Sequence, residues 1–450
     1  MKEIKHYSHI FLIGIGGIGM SALARYFNQK GMKVFGYDRT ESELTQTLSS
    51  EGIQISYADE IKDDIESFSK EKTLIIYTPA ISKHSKLFNY FQKNNFDLYK
   101  RSAVLGRITK HLPTLAVAGT HGKTTTSAIL TYILREKGIK LTAFCGGILQ
   151  NYNTNYVGEG EEVVVVEADE FDRSFLQLHP TAAVITSMDA DHLDIYETSE
   201  KLDETFHEFS RLVPKGHLYA KLGLDLDAQF IAIEEEADIK VRNISIENGT
   251  YRFDFQKGDI NLENLKFSLP GHHNLLNAAS ALALAIDFKP EFAESFGKAL
   301  ADFKGVNRRF NYVYKSDELV VIDDYAHHPK EIDAVHQAIS EMHPEKKSVA
   351  IFQPHLFSRT RDFAEDFAKS LAQFDEVNLL EIYPAREEPI EGISSKFLLN
   401  LIQHQSKKII SKPAIKERII NSKDEIIVLI GAGDIGVEAT KISKFLHETI

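Results

Sequence analysis

The sequence of 450 residues predicts an α/β fold in three domains. These are a Rossmann-like N-terminal domain, a central P-loop-type ATPase domain and a C-terminal Rossmann-like α/β domain. Three observations predict this. The chain is too long for a single core. Two glycine-rich loops each stand between an apolar strand and a helix-like run. Several later strands are unbroken runs of Val, Ile and Leu, as parallel strands buried on both faces are. The expected domains are 1–108, 109–309 and 310–450.

Composition narrows the function classes. With 43% hydrophobic residues the chain is an ordinary globular one, and a net charge of −13 argues against a nucleic-acid partner. Small anions need only a local positive site. The single cysteine, Cys145, excludes a disulfide framework and a cysteine metal cluster, and suits a reducing cytoplasm. The N-terminus runs directly into a strand, with no signal peptide and no apolar stretch suited to membrane insertion. The expected location is therefore cytoplasmic.

In chain order, His9 to Ile13 read as a buried strand. Gly14-Ile15-Gly16-Gly17-Ile18-Gly19 comes next, then a helix from Met20 to Phe27. A second strand, Lys33 to Asp38, ends in an acid about twenty residues on. This is the dinucleotide-binding fingerprint. Physically it says that a diphosphate rests on a helix N-terminus and that Asp38 is placed to meet a sugar hydroxyl. It does not specify nicotinamide. The strand Thr73 to Tyr77 continues this domain, and His111-Leu112-Pro113 reads as the linker to the next.

The central domain opens with Leu115 to Ala118 and the loop Gly119-Thr120-His121-Gly122-Lys123-Thr124-Thr125-Thr126. Glycines let backbone N–H groups close on phosphate oxygens, Lys123 reaches the outer phosphates, and a threonine hydroxyl can hold magnesium. The loop is shorter than the common G-x-x-x-x-G-K-[ST] form. A strand ending in four valines leads to Glu167-Ala168-Asp169-Glu170, where a carboxylate can hold magnesium against a triphosphate. The alternative there is a solvated acidic turn. Another strand, Ala182 to Thr186, leads to Asp189-Ala190-Asp191-His192-Leu193-Asp194. His192 reads as a ligand to a second ion or as a substrate contact. Residues 215–270 alternate polar and apolar in short runs and read as a small antiparallel excursion. Asn274 and Asn277 share a helix face, where paired amides either read a base edge or cap the helix. Arg308 and Arg309, at the domain junction, suit a phosphate clamp or a surface ion pair.

In the third domain, strands Glu318–Ile322, Ser348–Phe352, Val377–Ile382 and Ile426–Ile430 each end in polar or glycine residues. These ends include Asp323-Asp324-Tyr325-Ala326-His327-His328-Pro329, Gln353-Pro354-His355 with Arg359 beyond, Tyr383-Pro384-Ala385, and Gly431 to Gly436. Strand ends are where an open parallel sheet binds ligands.

Taken in order, these motifs resemble the Mur ligase family of ATP-dependent amide-bond ligases, over nearly the whole chain. The glycine stretch Gly14 to Met20 is most similar to the branch that adds L-alanine to UDP-N-acetylmuramate. The resemblance implies that the first domain holds the UDP-sugar rather than NAD, that the central domain binds ATP with Mg2+, and that the third closes over the site and helps hold ATP and the amino acid. It implies an acyl phosphate formed from the lactyl carboxylate and then attacked by the amine of L-alanine. Residue by residue, it implies that Gly14 to Gly19 and Asp38 bind the UDP-sugar, with Tyr325 and His327. Gly119, Thr120, His121, Gly122, Lys123, Thr124 and Thr125 would bind ATP, with Asn274 and Asn277 at adenine and Arg308 and Asp324 at the nucleotide. Thr124, Glu167 and His192 would hold metal. Lys123, Glu167, His192, Arg308 and His327 would carry the catalysis, and His355 and Arg359 would meet substrate carboxylates. The chain departs from the family pattern at Phe171, Arg173, Leu356 and Arg386, which bears on amino-acid recognition more than on the reaction. Two other readings stand beside this one. The first is the ligase that joins a tripeptide to the same UDP-sugar; the second is a nicotinamide-dependent oxidoreductase, which would leave the Lys123 loop idle. A non-catalytic nucleotide-binding regulator is a third.

Overall fold

The computed structural model describes residues 3–82, 84–189, 196, 198–247, 249–385 and 387–449. The strands of these residues form three sheets. The first contains β1 (His9–Ile13), β2 (Lys33–Tyr37), β3 (Gln54–Ser56), β4 (Thr73–Tyr77) and β5 (Asp97–Lys100), in the order β3-β2-β1-β4-β5. β1 pairs in parallel with both β2 and β4. The strand order therefore reverses beside β1, and the crevice this opens lies at its carboxyl end.

The second sheet contains β6 (Thr114–Ala118), β7 (Leu141–Leu149), β8 (Thr154–Gly158), β9 (Val163–Ala168) and β10 (Ala182–Ile185). It continues through β11 (Leu218–Lys221), β12 (Gln229–Ile233), β13 (Ile239–Glu247), β14 (Thr250–Lys257) and β15 (Ile260–Phe267). The order is β15-β14-β13-β12-β11-β10-β6-β9-β7-β8. β6 lies between β9 and β10 and is parallel to both. The loop leaving β6 is thus flanked by the turns that leave β9 and β10. The expected antiparallel excursion over 215–270 is corrected in part: β10 with β11, β11 with β12 and β12 with β13 all pair in parallel. Alternating polarity reports which face of a strand is buried, not the direction of its neighbour.

The third sheet contains β16 (Asn311–Lys315), β17 (Leu319–Asp324), β18 (Lys347–Phe352), β19 (Glu376–Leu379), β20 (Lys407–Ile409) and β21 (Glu425–Ile430), in the order β16-β17-β21-β18-β19-β20. β16 runs antiparallel to β17, whereas β17, β21, β18, β19 and β20 pair in parallel.

The chain divides into two compact units. One is Met1–Ile244 with Phe253–Lys266 and Leu276–Phe303; the other is Ser245–Arg252 with Phe267–Leu275 and Lys304–Ile450. The first sheet and most of the second share the first unit because their cores are continuous. Ile10, Leu12 and Phe27 belong to the same buried cluster as Phe144, Val164, Val166 and Phe175. Each such side chain contributes roughly 1.5–3 kcal/mol of burial energy. In the second unit the sheet is covered on both faces. Val320, Ile322 and Val428 enter one core, while Val321, Ile427 and Leu429 enter the other. That is why these strands read as unbroken apolar runs.

Candidate active site

The first glycine loop leaves β1 as expected. Gly14 has φ +85°, and a Cβ there would sit 2.8 Å from Thr78 Cγ2. The helix Ile18–Gln29 begins directly after Gly17. Met20 N and Ser21 N already donate to Gly17 O, so the N–H groups of Ile18 and Gly19 are the ones that suit an anion at this helix end. Ile15 is fully buried and anchors the loop from below. Asp38 turns back onto this loop: its Oδ2 accepts from Gly16 N at 2.8 Å, and its Oδ1 accepts from Thr40 N at 3.2 Å. The carboxylate is thus a loop brace as well as the acid of the fingerprint.

The second loop leaves β6 through Gly119 and Gly122, both at positive φ, into the helix Lys123–Glu136. A Cβ on Gly119 would overlap Thr186 Oγ1, and one on Gly122 would lie 2.5 Å from Asn277 Oδ1. Asn277 therefore stands directly over the loop. The stretch after β10 braces it from the other side. Ser187 Oγ accepts from His121 N at 2.8 Å, and Thr120 Oγ1 accepts from Asp189 N at 3.0 Å. His121 Nε2 lies 3.6 Å from Asp189 Oδ2. Thr125 is buried in the first turn of the helix.

Lys123 is the centre of this arrangement. Its Nζ donates to Gly119 O at 2.6 Å and to the Glu170 carboxylate at 2.7 and 3.0 Å. Glu170 is fully buried. Burial pushes the Lys123 pKa down, but the carboxylates of Glu170, Asp169 and Glu167 outweigh it, and the net shift is upward. The ammonium therefore stays charged at neutral pH.

Thr124 Oγ1 donates to Glu167 Oε1 at 3.1 Å, and Glu167 Oε2 accepts from Gly146 N at 2.9 Å. The Thr124 and Glu167 oxygens fit a magnesium ion. Neighbouring ligands on an octahedron of about 2.1 Å bond length lie about 3.0 Å apart, close to the observed pair. Among the described residues no group of three His, Cys, Asp or Glu converges on a metal position. Magnesium commonly takes one or two protein oxygens and completes its shell with phosphates and water, so two suffice. His192, with Asp191 and Asp194, lies outside the described residues, as does Arg386.

In the second unit, Asn274 Nδ2 donates to Pro270 O at 2.6 Å. Arg308 and Arg309 flank the Tyr325 ring, with their guanidinium carbons 5.0 and 5.2 Å from its centroid. Arg308 Nη2 donates to Gly431 O at 2.5 Å, and its Nε lies 3.5 Å from Asp323 Oδ2. Asp324 accepts from Phe310 N and Ala326 N, each at 2.7 Å. Burial raises the Asp323 pKa to about 7 and the Asp324 pKa to about 6, against the pull of the neighbouring arginines. His327 N donates to Glu331 Oε2 at 2.8 Å. The His327 ring lies 5.3 Å from Tyr325 and 6.1 Å from His355, which stacks on Tyr383 at 5.8 Å. Arg359 is half-buried on the short helix Phe357–Asp362.

Around these strand ends several non-glycine residues hold positive φ: Arg308 (63°), Phe310 (44°), Leu356 (70°) and Ala385 (51°). Backbone strain of this kind concentrates where function demands a geometry. Sequence reasoning missed Glu170 as the partner of Lys123, the bracing by Thr186 and Ser187, and the buried Asp323. The only sequence signal for Glu170 is its place in an acidic cluster.

Comparison with known proteins bears on the whole chain. Three family models match in succession: "Mur ligase family, catalytic domain" at residues 9–112, "Mur ligase middle domain" at 117–285, and "Mur ligase, glutamate ligase domain" at 308–433. The UDP-N-acetylmuramate–L-alanine ligase of Christiangramia forsetii is 54% identical, with all of both chains covered. The enzyme of the same name from Flavobacterium johnsoniae is 51% identical, again over all of both. Among solved structures, the UDP-N-acetylmuramate-alanine ligase of Thermotoga maritima superposes with a TM-score of 0.83 at 27% identity. It covers 98% of this chain and 100% of its own.

Proposed function

The chain belongs to the Mur ligase family, and from that premise we propose that it joins L-alanine to the lactyl carboxylate of UDP-N-acetylmuramate at the expense of ATP. One observation carries the reading: 54% identity, end to end, with a ligase of that name. The site's chemistry supports it. In such a reaction a carboxylate must approach a triphosphate, and two anions meet only where their repulsion is offset. Lys123, kept charged by the acids around it, neutralises the outer phosphates. The glycine N–H groups at 119 and 122 orient them, and Asn277, over Gly122, contacts the nucleotide from the helix above.

Thr124 and Glu167 would hold Mg2+, which when bound screens the phosphates and draws charge from the leaving ADP. The lactyl carboxylate then attacks the γ-phosphorus, giving an acyl phosphate and ADP. The amine of L-alanine adds to the activated carbonyl, and loss of phosphate leaves the amide. We assign UDP-sugar binding to 1–108 and ATP binding to 109–309. To 310–450 we assign substrate and nucleotide contacts by Asp324, Tyr325, His327, His355 and Arg359, with Arg308 at the boundary. The reaction is assigned to the cytoplasm. Among the described residues no helix is long and apolar enough to cross a membrane.

Phosphate release measured with UDP-N-acetylmuramate, ATP, Mg2+ and a panel of amino acids tests the reading. L-alanine is expected to give the fastest turnover. Release with the tripeptide and none with L-alanine would assign the chain to the recycling branch instead.

A further inference from the structure

The helix Arg101–Thr109 carries no motif, yet its first residue lies between the two glycine loops. A Cβ built on Gly19, in the first turn of the helix after the first loop, would lie 2.7 Å from Arg101 Nη1 and 3.2 Å from its Cζ. The guanidinium is therefore laid against the glycine backbone at the anion-binding end of that helix. Its other edge faces the second loop: Nη2 lies 3.4 Å from Asp169 Oδ2. Asp169 comes just after β9, between Glu167 at the Thr124 hydroxyl and Glu170 on Lys123.

This contact is built rather than incidental. A Cβ on Gly106 would overlap Gln177 O, so the helix packs its backbone against the end of the 3-10 segment Phe171–Gln177 that follows the acids. Lys100 Nζ pairs with Asp172 Oδ2 at 2.8 Å beside it. The Arg101 side chain is 20% exposed and that of Asp169 38% exposed, so the pair is partly shielded yet open to a ligand.

We propose that Arg101 is a counter-ion shared by the two nucleotide sites. It binds the diphosphate of the UDP-sugar at Gly19, where Asp169 holds its other edge, and its positive charge offsets the repulsion between that diphosphate and the ATP phosphates held by Lys123. A planar guanidinium suits this, because its five donors can face a phosphate and a carboxylate at once. Without it, the two polyanions would bind against each other. The inference rests on the proposed substrates.

Calorimetric titration tests it, with UDP-N-acetylmuramate and a non-hydrolysable ATP analogue, each alone and in the presence of the other. In Arg101→Met the UDP-sugar Kd is expected to rise about tenfold or more. The analogue is expected to weaken at least about fivefold more with UDP-sugar present than without it. Arg101→Lys, which keeps the charge, retains most of the coupling. Thermal melting of both variants checks that they fold. An unchanged UDP-sugar Kd in folded Arg101→Met overturns the proposal. So does an equal loss of analogue affinity with and without UDP-sugar, which is what a purely structural role gives. A wild-type protein that fails to bind UDP-sugar removes the functional reading itself. A wild-type protein that binds both ligands beside an unaffected variant removes this inference alone.

Discussion

Asp323 makes a pH-dependent prediction that the geometry lets us size. The side chain is 5% exposed, Arg308 Nε stands 3.5 Å from its Oδ2, and its Oδ1 has no hydrogen-bond partner among the described residues. Burial lifts its pKa from 3.8 to about 7. The folded protein therefore holds this proton at pH values where the unfolded chain has released it. The stability contributed by the protonated form is complete below pH 3.8 and is lost as pH rises to about 7. The linkage relation gives a loss of about 2 kcal/mol by pH 5 and about 4 kcal/mol by pH 8. Asp323→Asn has nearly the shape of the neutral acid and cannot ionise. It should therefore gain about 2–3 kcal/mol on the wild type between pH 5 and pH 8. Urea unfolding of both proteins at the two pH values measures this difference. A stability difference that does not change with pH would refute the reasoning, because it would mean that Asp323 titrates as it does in the unfolded chain.

Other substitutions probe the nucleotide site and the strained backbone. Glu167→Gln should keep the fold and lose about 10²–10³ in phosphate release, and near-normal turnover would rule out its metal role. Gly122→Ala forces a side chain into a position with φ +82° and only 2.5 Å from Asn277 Oδ1. It should weaken ATP binding at least about tenfold, from roughly 1–2 kcal/mol of strain, with UDP-sugar affinity unchanged in the same titrations. Leu356→Gly, at φ 70° and ψ 137°, relieves backbone strain and should raise stability by about 1 kcal/mol, read as a higher melting temperature.

Much of the fold is legible because burial writes itself into residue type. The strand Thr73–Tyr77 reads to the residue, and β9, β17, β18 and β21 to within one or two positions, since parallel strands buried on both faces leave unbroken apolar runs. The direction of β11 to β13 is not legible, because alternation carries no directional information. The glycine loops are legible as loops. Their side-chain partners are not, since partners come from distant strands. Asp38 reads toward a ligand and is found on Gly16 N. Glu170 reads as one of an acidic cluster and is the buried partner of Lys123. A strand that ends at Ala168 leaves the turn after it to decide which acid points inward, and no periodicity governs a turn. Arg101 carries no motif signature at all; its place depends on Gly19 and Gly106, two glycines over eighty residues apart in the chain.

The left-handed residues at the third sheet's strand ends have a consequence for how this protein can change. Random mutagenesis screened for heat resistance should accept glycine at Leu356 and Ala385 early, because each relieves a local conflict. The same screen run on growth should reject those changes if the bent backbone is what aims His355 and Tyr383. The two selections would then diverge at these positions while agreeing across the buried strands, and that divergence would mark the functional rim without any ligand being named.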